Sequence, residues 1–253
     1  MKYYKVLGTN VSAVNLESAA SYFLKNADKR VNSYVCCANA HTTVFAFENL
    51  EYQKVLNKSF LTLPDGGPVA YEARKQKIDN VSKVSGVDFF EKILDLTKNT
   101  NIKHYFYGNK KEELLKFVDV IKEKYPCINI CGYKESKFRD LTDDEKKQLR
   151  NDIIESEANL VWVALGAPKQ EMFCSELCEG TNACFIAVGG AFKVIAGLIP
   201  RAPKWMQDNS LEWLYRFIKE PKRLFKRYFQ GNIKYIYYTL INRRRNNENI
   251  DRT

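Results

Sequence analysis

The chain has 253 residues, 45% of them hydrophobic and 28% charged, with a formal net charge of +10. This composition excludes an intrinsically disordered chain and suits one α/β domain with an appendage. No apolar run reaches the roughly 18 residues of a spanning helix, and the N-terminus carries no recognisable signal peptide. The charge is unevenly placed: residues 201–253 hold 13 Lys/Arg against 5 Asp/Glu, whereas residues 1–200 hold 27 against 25. A nearly neutral body with a basic tail implies an anionic partner at the tail, whether a membrane surface, a nucleic acid or a phosphorylated substrate.

In chain order, Tyr3–Leu7 reads as a short strand and Leu16–Lys25 as a helix, with Ala19, Phe23 and Leu24 at helical spacing. Val31–Cys37 is a β-rich run ending at Ala38-Asn39-Ala40, and a helix follows through Leu56 with Val44, Phe47 and Val55 toward a core. Phe60–Leu63 is a short strand stopped by Pro64-Asp65-Gly66-Gly67-Pro68, where glycine and proline enforce a turn. Further helices are expected near Val69–Lys75, Gly86–Thr97 and Lys111–Lys124, with strands at His104–Tyr107 and Ile128–Cys131. Thr142 and Glu145 form a capping box that opens a helix to about Glu155. Leu160–Leu165 is a continuous apolar run, which predicts a central strand of a parallel sheet. Gln170–Glu179 follows as a helix and Cys184–Val188 as another buried strand.

This alternation with short connections predicts a doubly wound α/β sheet with helices on both faces. Beyond Pro200 the strand signals stop. Asn209 with Glu212 reads as another capping box, Leu211, Leu214, Phe217 and Ile218 form a helical apolar stripe, and Pro221 interrupts. A second basic, aromatic helix is expected from about Lys222 toward Leu240, with a disordered end from about residue 241. Cys36, Cys37, Cys127, Cys131, Cys174, Cys178 and Cys184 are odd in number and fall in strands or apolar helix faces. They read as seven buried thiols in a reducing compartment rather than as zinc ligands.

Several residues could do chemistry at the carboxyl edge of such a sheet, where ligands bind. Asp65 could act as a general base, or as a turn aspartate bonding its own backbone. Asn39 could bond a nucleobase, ribose or sugar, or cap the next helix. His41 is expected to face solvent. Gly166-Ala167-Pro168-Lys169-Gln170-Glu171 forms a tight strand-to-helix loop in which Gly166 permits close backbone approach and Gln170 can point its amide into the crevice. Gly189-Gly190 resembles a phosphate-cradling turn, but the chain has neither a P-loop pattern nor GxGxxG. In the tail, Arg216, Lys219, Arg223, Lys226 and Arg227 recur at helical spacing among Trp205, Trp213, Tyr215, Phe217, Phe225, Tyr228 and Phe229. That mixture suits an interfacial membrane position and would also suit a single-stranded nucleic-acid platform.

Taken together and in this order, these pieces resemble the WecG/TagA/CpsF glycosyltransferases over roughly Lys5 to Tyr228. The carriers are Asn39, Leu63-Pro64-Asp65-Gly66, Val84-Ser85-Gly86-Val87-Asp88, Gly166–Glu171, Gly189-Gly190-Ala191-Phe192, Ala196-Gly197, Arg201-Ala202-Pro203, Glu212–Arg216 and Glu220–Leu224. The resemblance implies a Rossmann-like, mostly parallel sheet with helices on both faces and a helical C-terminal appendage. It divides the chain into a body over 1–200, an appendage over 201–240 and a tail over 241–253. It also implies an inverting, metal-independent transfer of N-acetylmannosamine or a related hexose from a UDP-sugar, with no cofactor. The acceptor would be a sugar linked through diphosphate to a polyprenol, in cell-envelope polysaccharide or teichoic-acid-type synthesis. The protein would then be peripheral on the cytoplasmic face of the membrane, docked through residues 201–240, with no nucleic acid as partner and an oligomer left open.

By the same resemblance Asp65 is the base, and Asn39, Gly66, Gly166, Gln170, Gly189 and Gly190 line the donor and acceptor sites. Arg216, Arg223 and Lys226 or Arg227 would grip the acceptor diphosphate. Two positions depart from the family's pattern. Cys37 stands where threonine is usual, and Lys193 where aspartate is usual; both bear on donor identity. Lys193 could favour an acidic sugar or be a surface exchange, and the second is favoured. The alternative reading is a catalytically silent module whose tail docks a membrane or nucleic acid.

Overall fold

The structure, a computed structural model, describes residues 1–219, 221 and 231–241. It opens with β1 (Tyr3–Val6) and β2 (Thr9–Ser12), then α1 (Leu16–Lys25), α2 (Ala27–Arg30), β3 (Ser33–Ala38), α3 (Ala40–Glu48), α4 (Leu50–Lys58), β4 (Leu61–Pro64) and α5 (Gly67–Lys75). The middle of the chain forms α6 (Gly86–Thr97), β5 (Lys103–Gly108), α7 (Lys111–Lys124), β6 (Asn129–Lys134) and α8 (Asp143–Glu155). It continues with β7 (Leu160–Ala164), α9 (Lys169–Leu177), β8 (Cys184–Ala187), α10 (Ala191–Ile195), α11 (Lys204–Asp208) and α12 (Glu212–Lys219). Residues 231–241 form a further helix.

Six strands make one parallel sheet in the order β4-β3-β8-β7-β5-β6. The carboxyl ends of all six therefore share one edge. β7 and β8 are buried along their whole length, as their unbroken apolar runs require. Alternate side chains of each strand feed opposite faces. On one face Trp162 and Ile186 pack with Phe23 of α1, Phe89 and Phe90 of α6, and Phe117 of α7. On the other, Val161, Val163 and Phe185 pack with Leu56 of α4, Leu149 and Ile153 of α8, and Leu177 of α9.

One buried polar group sits within this core. The Trp162 indole N–H donates to His104 Nδ1 at 3.0 Å, and because an indole can only donate, His104 carries its proton on Nε2, 3.1 Å from Thr97 Oγ1. Burial, helped by the nearby Arg30 charge, depresses the imidazole pKa to about 3, so His104 is neutral.

The first strand expected from sequence is half of a hairpin. β1 and β2 pair antiparallel through a two-residue turn in which Leu7 and Gly8 both have positive φ, the geometry that matches strand twist. Four residues carrying Asn10 gave no strand signal, so β2 escaped notice. The hairpin packs beside β4, where Ser12 Oγ accepts from the Thr62 N–H at 3.1 Å.

Other local expectations are met or corrected. Thr142 caps α8 with the reciprocal Glu145 bond. Asn209, by contrast, ends α11 instead of opening α12: its amide donates to the Trp205 carbonyl at 2.7 Å, and α12 begins at Glu212. Phe47 is exposed rather than turned to the core. Pro221 is itself helical. All seven cysteines are free, but Cys127 is exposed and Cys131 half-buried, because the strand that carries Cys131 lies at the sheet's edge. The expected helix from Lys222 lies outside the described residues as far as residue 230, and the expected disordered end lies outside them from residue 242.

Candidate active site

A crevice of about 1990 Å³ runs along the carboxyl edge of the sheet and is closed on one side by α12 and the 231–241 helix. β4 ends at Pro64, and Asp65 is the first residue beyond it. Its N–H donates to the Ala38 carbonyl at 2.8 Å, fixing the turn against the end of β3. Its carboxylate bonds not to its own turn but to Asn39, whose Nδ2 donates to Asp65 Oδ2 at 3.5 Å.

Asn39 performs both functions that its sequence position allowed, because an amide has two ends. Its Oδ1 accepts from the N–H groups of His41 and Thr42, each at 3.1 Å, and so caps α3. That leaves Nδ2 aimed at Asp65. Gly66, with φ +140°, turns the chain from Asp65 into α5, a conformation that L side chains rarely adopt.

Desolvation raises the Asp65 pKa above the usual aspartate value. The Arg216 guanidinium and the Asn39 hydrogen bond pull it back down, Glu212 pushes it up, and Lys83 lowers it. The crevice thus places a carboxylate of raised basicity opposite a guanidinium delivered by α12. Arg216 lines the crevice with Asp65, whereas Arg223, Lys226 and Arg227, expected with it at the acceptor diphosphate, lie outside the described residues.

The loop after β7 forms the next wall. Gly166 has φ +85° and nothing within 4 Å of the position a Cβ would take, so its backbone faces open crevice. The following Ala167–Pro168 peptide is cis. Gln170 is only 4% exposed and its amide already has protein partners: Oε1 accepts from the Gly166 N–H at 3.0 Å, and Nε2 donates to the buried Glu171 at 2.8 Å. Gly189, with φ +56°, passes close to this amide, and Gly190 stands before α10, exposed.

The two departures from the family's pattern both line the crevice. The Cys37 thiol donates to the Ala187 carbonyl at 3.4 Å, and burial, then the Asp65 and Glu171 charges, push its pKa far up, so it is a neutral wall. Lys193 is partly exposed at the crevice, and its Nζ donates to Glu113 of α7 at 2.8 Å. His41, expected in solvent, is half-buried in the same wall.

Sequence reasoning missed an ion-pair network beside Asp65. Lys83 Nζ donates to Glu212 Oε2 at 2.6 Å and to the Gln207 carbonyl at 2.9 Å. Arg201 bonds Asp88 and reaches Glu91 at 3.2 Å. The only hint in the sequence was that Asp88, Arg201 and Glu212 all lie in motifs used for the resemblance. Among the described residues no group of three His, Cys, Asp or Glu side chains is placed to hold a metal ion.

An open parallel sheet with a wide crevice at its carboxyl edge, floored by a carboxylate and faced by a guanidinium, is the architecture of an α/β ligand-binding protein. The model of the "Glycosyl transferase WecG/TagA/CpsF family" matches residues 4–249, and the chain belongs to that family of glycosyltransferases. It is 32% identical over 211 residues to an N-acetylglucosaminyldiphosphoundecaprenol N-acetyl-beta-D-mannosaminyltransferase of Bacillus subtilis (strain 168), covering 83% of this chain and 80% of the relative. It is 29% identical over 197 residues to the enzyme of the same name from Bacillus spizizenii (strain ATCC 23059 / NRRL B-14472 / W23), covering 78% and 75%.

Proposed function

We propose that this glycosyltransferase moves N-acetylmannosamine or a related hexose from a UDP-sugar to a sugar carried on a polyprenyl diphosphate, with inversion and without a metal. The observation that carries the reading is the Asp65–Asn39 pair facing Arg216 at the end of β4. In an inverting transfer one base takes the acceptor hydroxyl's proton as its oxygen attacks the anomeric carbon in line, and UDP departs from the opposite side. Asp65 is the base: desolvation makes it a better proton acceptor than an exposed aspartate, while Asn39 orients its second oxygen. Charge on the phosphates is met by Arg216 and by backbone N–H groups along the Gly189-Gly190 wall.

The acceptor class follows from the relatives' names, which specify a diphosphoundecaprenol-linked N-acetylglucosamine. No helix among the described residues is long and apolar enough to cross a membrane. Membrane contact through the appendage is supported by its exposed Trp205 and Ile218, by Ile236 and Leu240 on the last helix, and by the basic residues around them. The test is a panel of UDP-sugars offered with a short-chain prenyl-diphosphate-GlcNAc acceptor, with and without EDTA. Transfer from UDP-N-acetylmannosamine or a related UDP-hexose, undiminished by EDTA, is the expected result. No transfer from any donor would leave a docking module, and loss on chelation would overturn metal independence.

A further inference from the structure

Arg216 faces Asp65 from α12, and ion pairs take part in holding that helix against the body. The 81–85 loop returns to the site when the Val84 N–H donates to the Pro64 carbonyl at 2.9 Å, which brings Lys83 beside Asp65. From there Lys83 grips the appendage twice, at the Gln207 carbonyl and at Glu212 on the first turn of α12. Arg201 works from the other side. Its Nε lies 3.8 Å from Glu212 Oε1 while its terminal nitrogens bond Asp88 and Glu91 of α6. Asp88 is in turn fixed by the Ser85 hydroxyl at 2.6 Å. The Lys83 and Glu212 side chains are 16% and 19% exposed, so the pair is screened far less than a surface ion pair. Glu212 does not cap its own helix from across a turn, as its spacing from Asn209 suggested; its carboxylate is committed to the body. Arg216 follows four residues later, one turn along the same helix face.

We propose that Glu212 is a positioning residue for sugar transfer: gripped by Lys83 and Arg201, it fixes the start of α12 so that Arg216 is presented to Asp65. The inference rests on the transferase reading above, and it assigns Glu212 no contact with substrate. It makes the active site conditional on docking of the appendage.

The coupling between two substitutions separates positioning from a bystander charge. Among the described residues, the charged and titratable groups facing Asp65 are Arg216 and Glu212 from α12, Lys83 from the loop before α6 and Cys37 from β3, with the Asn39 amide beside them. If Glu212 acted only as a nearby negative charge, Glu212→Gln would lower the Asp65 pKa. If it positions α12, the same substitution also withdraws Arg216, so its effect on Asp65 depends on whether Arg216 is present.

The full chain is labelled with ¹³C-aspartate, the Asp65 resonance is assigned by its loss in Asp65→Asn, and wild type, Glu212→Gln, Arg216→Gln and the double variant are titrated. The expected result is that Glu212→Gln shifts Asp65 differently in wild type and in Arg216→Gln, whereas a bystander charge would give the same shift in both. Transfer should fall about tenfold to a hundredfold in Glu212→Gln and by almost nothing when that change is added to Arg216→Gln. The charge exchange Lys83→Glu with Glu212→Lys should restore protection of residues 204–219 from hydrogen exchange. Equal Asp65 shifts in the two backgrounds, or additive losses of transfer in the double variant, overturn the proposal. The titration and exchange need no turnover, so an inactive wild type would defeat the transferase reading while leaving the positioning of Arg216 decided on its own.

Discussion

The two halves of the site are built from different physics. Asp65 and Asn39 stand on the ends of adjacent strands, tied by a backbone hydrogen bond and backed by a dry apolar core. Arg216 stands on α12, none of whose residues is fully buried, and whose place is set by Lys83, Arg201 and Glu212. Apolar burial and backbone ladders are almost indifferent to salt and to single charge changes, whereas ion pairs answer to both. The proposed base is therefore a fixed part of the scaffold, and its counter-charge stands on a helix that ion pairs help to place.

The largest effect that tests this contrast is expected at Asp65. Asp65→Asn should cut transfer by about a hundredfold to ten-thousandfold, the range for losing a general base, with no loss of thermal stability. Residual activity within tenfold of wild type would remove Asp65 from the role of base.

Next comes the core's own charge-sensitive point. His104 must be neutral in the fold, with a pKa of about 3 against 6.5 for the free side chain. Between those values the unfolded chain binds the extra proton, so this contribution is complete above about pH 6.5 and is lost as pH falls toward 3. The cost on reaching the lower value is on the order of several kcal/mol. Acid unfolding followed by circular dichroism should show this slope in wild type and a flatter one in His104→Gln; equal slopes would mean that other groups govern acid stability.

A smaller and more local effect is expected at Gly67. A Cβ there would lie 2.6 Å from the Ser210 Cβ, where the α11–α12 connection crosses the body. Gly67→Ala should lower transfer about tenfold and expose residues 204–219 to proteolysis, with the body's melting unchanged. Ser210→Gly should reverse it, since Ser210 has φ +59° and glycine accepts that conformation freely. Failure of the second change to rescue would show that the crowding at Gly67 is not what displaces the appendage.

The smallest effect is ionic. Raising salt from about 0.1 to 1 M shortens the screening length from about 10 to 3 Å. Hydrogen exchange in α12 should quicken severalfold while that of β7 and β8 stays constant. Equal quickening in both would erase the contrast between the halves.

The same division explains what the sequence disclosed. The unbroken apolar run of β7 announced a central strand, because burial on both faces leaves no polar position. The Thr142–Glu145 box announced a helix start because its partners are three residues apart. Asp65 and Asn39 were visible as residues at strand ends, but each also fitted a bland turn or cap. Only the register of β3 against β4 sets Asn39 against Asp65. The Lys83–Glu212 pair joins positions 129 apart, and no local spacing encodes such a partner. Asn209 and Glu212 were misread for the same reason: a capping-box spacing says which bonds a helix start can make, not what a distant lysine will claim.

The cap at Asn39 carries one more consequence. Its oxygen is spent on the first turn of α3, so the nitrogen facing Asp65 cannot be exchanged for the oxygen by rotating the amide without surrendering the cap. Replacing that one nitrogen by oxygen, as Asn39→Asp does, keeps the helix start and the shape of the site but sets two carboxylates face to face. They would then hold a single proton between them well above the ordinary aspartate range. An exchange of one heavy atom on a helix cap would thus turn a lone carboxylate into half of a proton-sharing pair.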